Sequence, residues 1–424
     1  MTRQRPEFPN YQPRPADAPT ALDGIRVVDF TRMLAGPYCT QQLVDLGAEV
    51  IKIEAPGTGD DARNYTATEL DGESALYLST NRNKKSIVLD LKCESGAVIA
   101  RDIIAKSDVL VENFSTGIMQ RFGLDYEAVR AINPKIIYCA ISGYGLDDDA
   151  ETPRRGYDAM FQASSGFMSL TGPADNPYRT TVPIADIASG MFAASAVLGA
   201  LIARDRTGEG QFIEVALFDA AANLLTLYGM SYLISGEDTP RYGNRSAQTA
   251  PSDVYQASDG PIFITCGNQR LFRRLCVEAL DREDLFDDPR YASNFDRVSN
   301  IEPLTATLNE AFSTNTRQYW VDLLTGLGIP VTAIATVSEA LTSKDALRRN
   351  LVASIPHPRS GDVPTIRSAM RLSRTPVVDP VAPPVLNADR DAVLSDLLGY
   401  DDHRLAQLRA AGAFGDGEAE QGKA

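Results

Sequence analysis

The chain has 424 residues, 44% of them apolar, which at roughly 150 residues per domain makes two or three domains with cores of ordinary size. It carries 41 Lys and Arg against 56 Asp and Glu, a formal net charge of −15. A surface this acidic repels phosphate backbones and anionic leaflets, so nucleic-acid and membrane-surface binders are excluded.

The N-terminal stretch holds Pro6, Pro9, Pro13, Pro15 and Pro19 and no apolar run, so it reads as an extended arm or a disordered lead-in and not as a secretory signal. From Gly24 onward short apolar runs alternate with segments of helical period, the mark of βαβ units and a mostly parallel sheet. Ile25–Phe30 and Glu49–Ile53 are predicted strands. Pro37–Leu46 between them is a predicted helix, with Pro37 in the first turn where a missing N–H costs nothing. Asp108–Glu112 and Lys135–Ile141 repeat the pattern after helices near Gly96–Ala105 and Tyr126–Ala131. Ile187–Arg204 is a predicted helix, with Asp186 as its N-cap and Thr207-Gly208-Glu209-Gly210 as its stop. The longest apolar run, near Met191–Ile202, is too short to cross a bilayer. Gln211–Phe218 reads as one more strand. Ala220–Ile234 is apolar on nearly every face, so as a single helix it is buried or joins two bodies. Past Gly236, Val254–Tyr255, Ile262–Thr265 and helices near Leu271–Leu280 and Gln318–Leu327 form a smaller α+β module. A proline-rich return (Pro356, Pro358, Pro364, Pro376, Pro380, Pro383, Pro384) leads to a short helix near Asp391–Leu398.

Few residues are equipped for chemistry. Only His357 and His403 are histidines, both among loop residues, which removes histidine-rich metal sites and makes His-based triads hard to assemble. The five cysteines, Cys39, Cys93, Cys139, Cys266 and Cys276, are odd in number and widely spaced; they fit neither a disulfide framework nor a zinc site and suit a reducing cytoplasm. The loop Thr31–Pro37 follows the first strand as a dinucleotide fingerprint would, and Glu54 stands where a ribose-binding acid would lie. Yet G-x-G-x-x-G is absent and a nicotinamide role is unsupported. Lys84, Lys85, Lys92 and Arg121 lie near strand ends, as a phosphorylated ligand requires, although exposed lysines commonly do no more than solvate a face. Asp186 is either an ordinary cap or a carboxylate left approachable by Ser189 and Gly190. Gly156-Tyr157-Asp158 is a second polar knot, readable as a turn with Tyr157 half-buried.

Together Ala21–Thr31, Leu34–Pro37, Gly47–Glu54, Asn81–Ser86, Val111–Phe114 and Gly156–Asp158 resemble the family III CoA-transferases, the formyl-CoA transferase and carnitine CoA-transferase group, in motif order from about Leu22 to Leu398. Thr31–Pro37, Asp60–Arg63 and Asn81–Ser86 are most similar to its succinate–glutarate (dicarboxylate) branch. The resemblance implies an α/β fold with a Rossmann-like large domain built from both chain ends, a smaller α+β domain and an interlinked homodimer. The matching boundaries are residues 1–21 as an arm, 22–219 and 356–414 as the large domain and 246–330 as the small one. Residues 220–245 and 331–355 are then linkers and 415–424 a disordered tail. By the same resemblance Asp186 is the catalytic carboxylate. Met33, Leu34, Ala35, Leu89, Leu91, Lys92, Asn113, Phe114, Arg121, Arg155 and Tyr157 match CoA-binding and active-site positions. The substrates implied are coenzyme A thioesters and small carboxylic acids, with succinyl-CoA and a C4–C6 dicarboxylate favoured and with no resident cofactor or metal.

Leu34 stands where oxalate-using relatives carry glutamine, and their run of glycines has no counterpart around Gly243–Ala250, which disfavours oxalate and formate. Two other readings compete. A 2-methylacyl-CoA racemase of the same fold carries histidine as a base in the Gly-x-Asp motif; here that position is Tyr157, a poor base at neutral pH. A non-catalytic CoA-binding module has no use for a carboxylate at Asp186.

Overall fold

The computed structural model describes residues 8, 11–65, 68–146, 154 and 156–415. Tertiary contacts divide the chain into two units. One holds Met1–Phe167, Thr181–Thr226 and Thr342–Ala424, the other Met168–Thr180 and Leu227–Leu341.

In the first unit β1 (Arg26–Asp29), β2 (Glu49–Glu54), β3 (Lys85–Val88), β4 (Val109–Glu112), β5 (Ile137–Ser142) and β6 (Gln211–Ala216) form one parallel sheet in the order β3-β2-β1-β4-β5-β6. This is the doubly wound order of dinucleotide-binding folds. Helices α1 (Ala35–Asp45), α2 (Glu94–Ala105), α3 (Tyr126–Ile132), α4 (Asp158–Ser164), α5 (Ile184–Thr207) and α6 (Leu217–Asn223) belong to the same unit. Crossover helices bury both faces of a parallel sheet, so the inner strands read as unbroken apolar runs. Alternation still decides which side each residue meets. Val27, Val109, Val111, Ile137 and Cys139 pack with Leu43 and Val44 of α1 and Ala193, Ala194 and Val197 of α5. Val28, Leu110 and Tyr138 turn the other way, onto Ile99, Ile103 and Ile104 of α2 and Val129 of α3. Val393, Leu394, Leu405 and Leu408, from the C-terminal helices Arg390–Leu398 and Asp402–Ala410, close this second core.

Helix α5 lies close against α1 because small residues, Gly190 among them, face it. A Cβ added to Gly190 would stand 2.6 Å from the Ala35 carbonyl oxygen and 3.2 Å from the Cys39 nitrogen, distances that backbone atoms do not tolerate. Gly208, left-handed at φ 79°, ends the helix by donating its N–H to the Arg204 carbonyl. At 24 residues and mean hydropathy 1.7, α5 is long and apolar enough to cross a membrane by length and composition, which the shorter run Met191–Ile202 understates; half of that span is buried inside the protein.

The expected single helix Ala220–Ile234 is two. α6 ends at Asn223 and α7 (Thr226–Ser235) begins at Thr226, whose φ of 39° breaks the helical path. Leu227, Met230, Leu233 and Ile234 of α7 are exposed. The second unit holds a three-stranded antiparallel sheet, β7 (Ser252–Ala257), β8 (Gly260–Thr265) and β9 (Val331–Ala333), in the order β9-β8-β7. Its core joins Tyr255, Ile262 and Phe272 to Phe312 of α8 (Ile301–Phe312) and Trp320 of α9 (Arg317–Gly326). Back in the first unit, part of the proline-rich return is a hairpin, β10 (Val352–His357) with β11 (Gly361–Ile366). A two-stranded ribbon tolerates Pro356 and Pro364 because each strand has an outer edge that no neighbour pairs. The predicted tail Gly415–Ala424 lies, beyond Gly415, outside the described residues.

Candidate active site

In a doubly wound sheet the chain leaves two central strands in opposite directions, opening a crevice at their carboxyl ends. Here those strands are β1 and β4. Two loops flank the crevice and are tied together, since the Arg32 N–H donates to Asn113 Oδ1 and Asn113 Nδ2 donates back to the Arg32 carbonyl, both at 2.8 Å. The Arg32 guanidinium lies 4.9 Å from the Phe114 ring centre. Met33 adopts φ 68°, rare for a side chain of its size, and its N–H donates to Asp60 Oδ1 at 3.0 Å.

Beneath this loop lies a buried ionic lattice. Lys52 Nζ donates to the Thr31 carbonyl at 2.7 Å and pairs with Asp60 at 2.8 Å. Lys84 Nζ donates to the Pro37 carbonyl, to Asp29 Oδ2 and to Asn81 Oδ1. Burial alone would raise the Asp29 carboxyl, but Lys84 and Lys52 outweigh it and hold the group at about 2. Burial brings Lys84 down to about 8 against the opposing pull of Asp29. Both ends of the Thr31–Pro37 loop are thus clamped from below. Lys84 is thus neither a charge for a ligand nor part of a solvated face, because it is fully buried in these bonds, while Lys85 stays on the surface and pairs with Glu49 at 2.7 Å. Glu54 likewise points inward, bonded to Arg63 and Ser86, and is not a ribose acceptor.

Asp186 lies in the first turn of α5 and is not its N-cap; that position is Pro183. The capping is done from a distance by Asp158, whose Oδ1 accepts the N–H groups of Ala185 at 2.8 Å and Asp186 at 3.3 Å, and whose Oδ2 accepts from Gln162 Nε2. The Asp186 carboxylate itself has no hydrogen-bond partner among the described residues. Burial, and secondly the neighbouring Asp158 charge, push it up to about 7. Ser189 turns its hydroxyl back to the Ala185 carbonyl at 2.7 Å. The close approach of Gly190 to Ala35 comes one helical turn, about 6 Å, beyond Asp186, so the carboxylate and the clamped loop share one edge of the unit. Such an arrangement makes a nucleophile: a carboxylate that ionises near neutrality, without donors to satisfy its lone pairs, beside a preorganised loop.

The crevice gathers Met33, Leu34 and Ala35 with Asn113 and Phe114, all partly or fully buried. Leu89, Leu91 and Lys92 follow β3 at the same carboxyl edge; Leu89 is 1% exposed and packs in the core, which leaves its backbone for any ligand, while Lys92 is exposed. Arg121 is exposed at the end of the short helix Ile118–Arg121. Tyr157, 75% exposed immediately before α4, is not the half-buried turn residue expected of it. Arg155 lies outside the described residues. His357 is buried, with Nδ1 accepting the N–H groups of Arg359 and Ser360, and His403 is exposed in a terminal helix. Sequence reasoning missed two carboxylates. Asp158 stood in a recognised motif, but nothing local signals a cap acting across 27 residues. Glu112 ends an otherwise apolar strand, is 6% exposed, and is pushed up to about 7 by burial against a bond from the Phe114 N–H.

A sequence profile described as CoA-transferase family III matches residues 22–390. The chain is 37% identical over 399 residues to the succinyl-CoA:glutarate CoA-transferase of Mus musculus, covering 94% of this chain and 91% of that protein. It is 40% identical over 342 residues to the acetyl-CoA:oxalate CoA-transferase of Acetobacter aceti, covering 80% and 87%. Among solved structures, a CAIB/BAIF family protein from Brucella suis superposes with a TM-score of 0.83 at 38% identity, covering 89% of this chain and 100% of that one.

Proposed function

The chain belongs to CoA-transferase family III, and from that premise we propose that it passes CoA from succinyl-CoA to a C4–C6 dicarboxylate through Asp186. The observation that carries this reading is the Asp186 carboxylate, ionising at about 7 and without a hydrogen-bond partner among the described residues, beside the clamped loop that ends at Ala35. An Asp186 oxygen attacks the thioester carbonyl; the new C–O bond forms as C–S breaks, leaving a mixed anhydride and CoA thiolate. The thiolate attacks the aspartyl carbonyl, releasing succinate and leaving an aspartyl-CoA thioester. The acceptor carboxylate displaces CoA to form a second anhydride. CoA then attacks the acceptor's carbonyl, which completes the product and restores Asp186. Each step trades one activated carboxyl for another, so the thioester energy is retained while water is excluded. Met33, Leu34, Ala35, Asn113 and Phe114 line the CoA in this reading, with Leu89, Leu91, Lys92 and Arg121 toward its nucleotide and Arg155 and Tyr157 at the mouth.

Racemisation has little support: the relatives are transferases, and Tyr157 replaces the histidine a racemase needs. An interlinked homodimer supplies the cover that the exposed apolar residues of α7 call for. The five free cysteines suit a cytoplasmic enzyme. Incubation with succinyl-CoA, then borohydride reduction and peptide mapping by mass, tests the chemistry. Asp186 should be recovered reduced; an unmodified Asp186 during active turnover overturns the reading. Glutarate, itaconate, malate, mesaconate and oxalate as acceptors then test the substrate class, and the Acetobacter relative's name is the reason to keep oxalate in the panel.

A further inference from the structure

Four arginines surround a cavity of about 370 Å³ in the first unit: Arg14, Arg349, Arg367 and Arg371. The cavity lies away from Asp186. Its wall includes Pro376 and Val377, and the next residue, Val378, donates its N–H to the carbonyl of Asp45, the last residue of α1. Helix α1 runs from the carboxyl edge of β1 back toward the amino edge of β2, a length of about 16 Å for 11 residues. The arginines therefore gather at the opposite edge of the sheet from the reacting carboxylate.

Their pairing is unusual in a chain of net charge −15. Among the described residues no carboxylate forms a salt bridge with any of the four, although acidic residues outnumber basic ones by 15 over the whole chain. Two of the guanidiniums are fixed by the protein. Arg371 donates to the carbonyls of Ser368 at 2.6 Å, Met370 at 3.0 Å and Arg349 at 2.9 Å. Arg367 lies 4.9 Å from the Tyr11 ring centre, and burial and then Arg371 weaken its hold on its proton, against the opposing charge of Asp379. Asp379 spends both carboxylate oxygens on the Arg14 backbone N–H. The Arg14 and Arg349 side chains make no hydrogen bond with the described residues. Like charges brought together around a cavity repel, and Asp379 is the carboxylate that opposes this at Arg367, one negative charge against four positive ones. Guanidinium forks match the oxygens of phosphates and carboxylates two at a time.

We propose that this cavity binds a small oxyanion carrying two or more negative charges, a phosphate or a dicarboxylate, held by Arg14 and Arg349 against the fixed Arg367 and Arg371. Bound there, the anion joins three chain segments around residues 12–14, 349–350 and 367–377 and steadies the edge of the fold farthest from the chemistry.

Calorimetric titration of the full-length protein tests this, with saturating CoA present so that the nucleotide site is closed to the probe. Pyrophosphate should bind saturably, one per chain. Arg14→Gln with Arg349→Gln should weaken it about a hundredfold, tenfold for each charge-assisted hydrogen bond removed. Because neither side chain bonds to the described protein and their charges repel the other two, the double variant should unfold at or above the wild-type midpoint in the absence of anion. Glutarate and inorganic phosphate in parallel titrations identify which source of oxyanion is preferred, and binding of either supports the site where the double variant weakens it, since glutarate held as acceptor at Asp186 is indifferent to those arginines. No binding, an affinity unchanged in the double variant, or heats reproduced by equal ionic strength of sodium chloride overturns it. A change of oligomeric mass in the double variant with anion affinity intact also overturns it, in favour of an interface between copies.

Discussion

Asp186→Asn should leave a protein that is inactive and more stable than the original. In the folded chain the carboxyl ionises at about 7, against an ordinary value of 3.8. Below pH 3.8 both folded and unfolded chains keep the proton and the site costs nothing. As pH rises the unfolded chain ionises first, and stability falls until about pH 7, above which the deficit is constant. At about 1.36 kcal/mol per pH unit the full penalty is about 4 kcal/mol, and partial exposure makes this an upper value. The asparagine amide has nearly the same shape and no charge, so it avoids the penalty at every pH. Between pH 5 and pH 8 its stability advantage should grow by about 2–3 kcal/mol. Urea unfolding at pH 5, 6, 7 and 8, at one protein concentration, reads this directly. Equal stability at pH 8, or an advantage that does not widen with pH, refutes the assignment of Asp186 as a carboxylate held at the expense of the fold.

Three further outcomes follow from the same geometry. The transfer rate should rise with pH through about 7 as Asp186 loses its proton, and Asp158→Asn should move that midpoint down by at most about 1.5 pH units, because burial is the larger cause; a midpoint that stays put separates the two carboxylates. Gly190→Ala should cost about 1–3 kcal/mol of stability and slow transfer more than tenfold, since its Cβ meets the Ala35 carbonyl at 2.6 Å; wild-type kinetics would show that the α1–α5 contact does not set the site. Light scattering across dilutions should report about 92 kDa, twice the 45.9 kDa chain, until unfolding, and a folded active monomer would exclude the interlinked arrangement.

Much of the fold was legible because both faces of the sheet are buried. Runs such as Val27-Val28 and Leu110-Val111 admit few other readings, and the spacing between them leaves room for helices but not for hairpins. Asp186 was singled out through its motif, while its capping role was misjudged, the N-cap being Pro183. Local pattern shows a helix start, but not which distant carboxylate reaches it, and Asp158 reaches Ala185 across 27 residues. Lys84 was misread for the same reason. A lysine beside another lysine looks solvated until Asp29, Asn81 and the Pro37 carbonyl are brought around it by the sheet. The hairpin at Val352–Ile366 escaped notice because prolines argue against strands unless an edge is open, and sequence does not reveal edges.

The packing of Val393, Leu394, Leu405 and Leu408 against strands that begin at Arg26 has a consequence for how the protein is made. The second unit, ending at Leu341, is complete in sequence well before the first. At 5–20 residues per second, the ribosome takes roughly 10–40 s to travel from Thr226 to Phe414. Throughout that interval the face formed by Val28, Leu110 and Ile103 has no lid. A nascent chain halted once residue 341 has left the ribosome should therefore be cut by protease between Arg26 and Phe167 while the second unit resists. Synthesis delivers the middle of this enzyme finished and its beginning unfinished, and the last helix to emerge seals the first strand that was made.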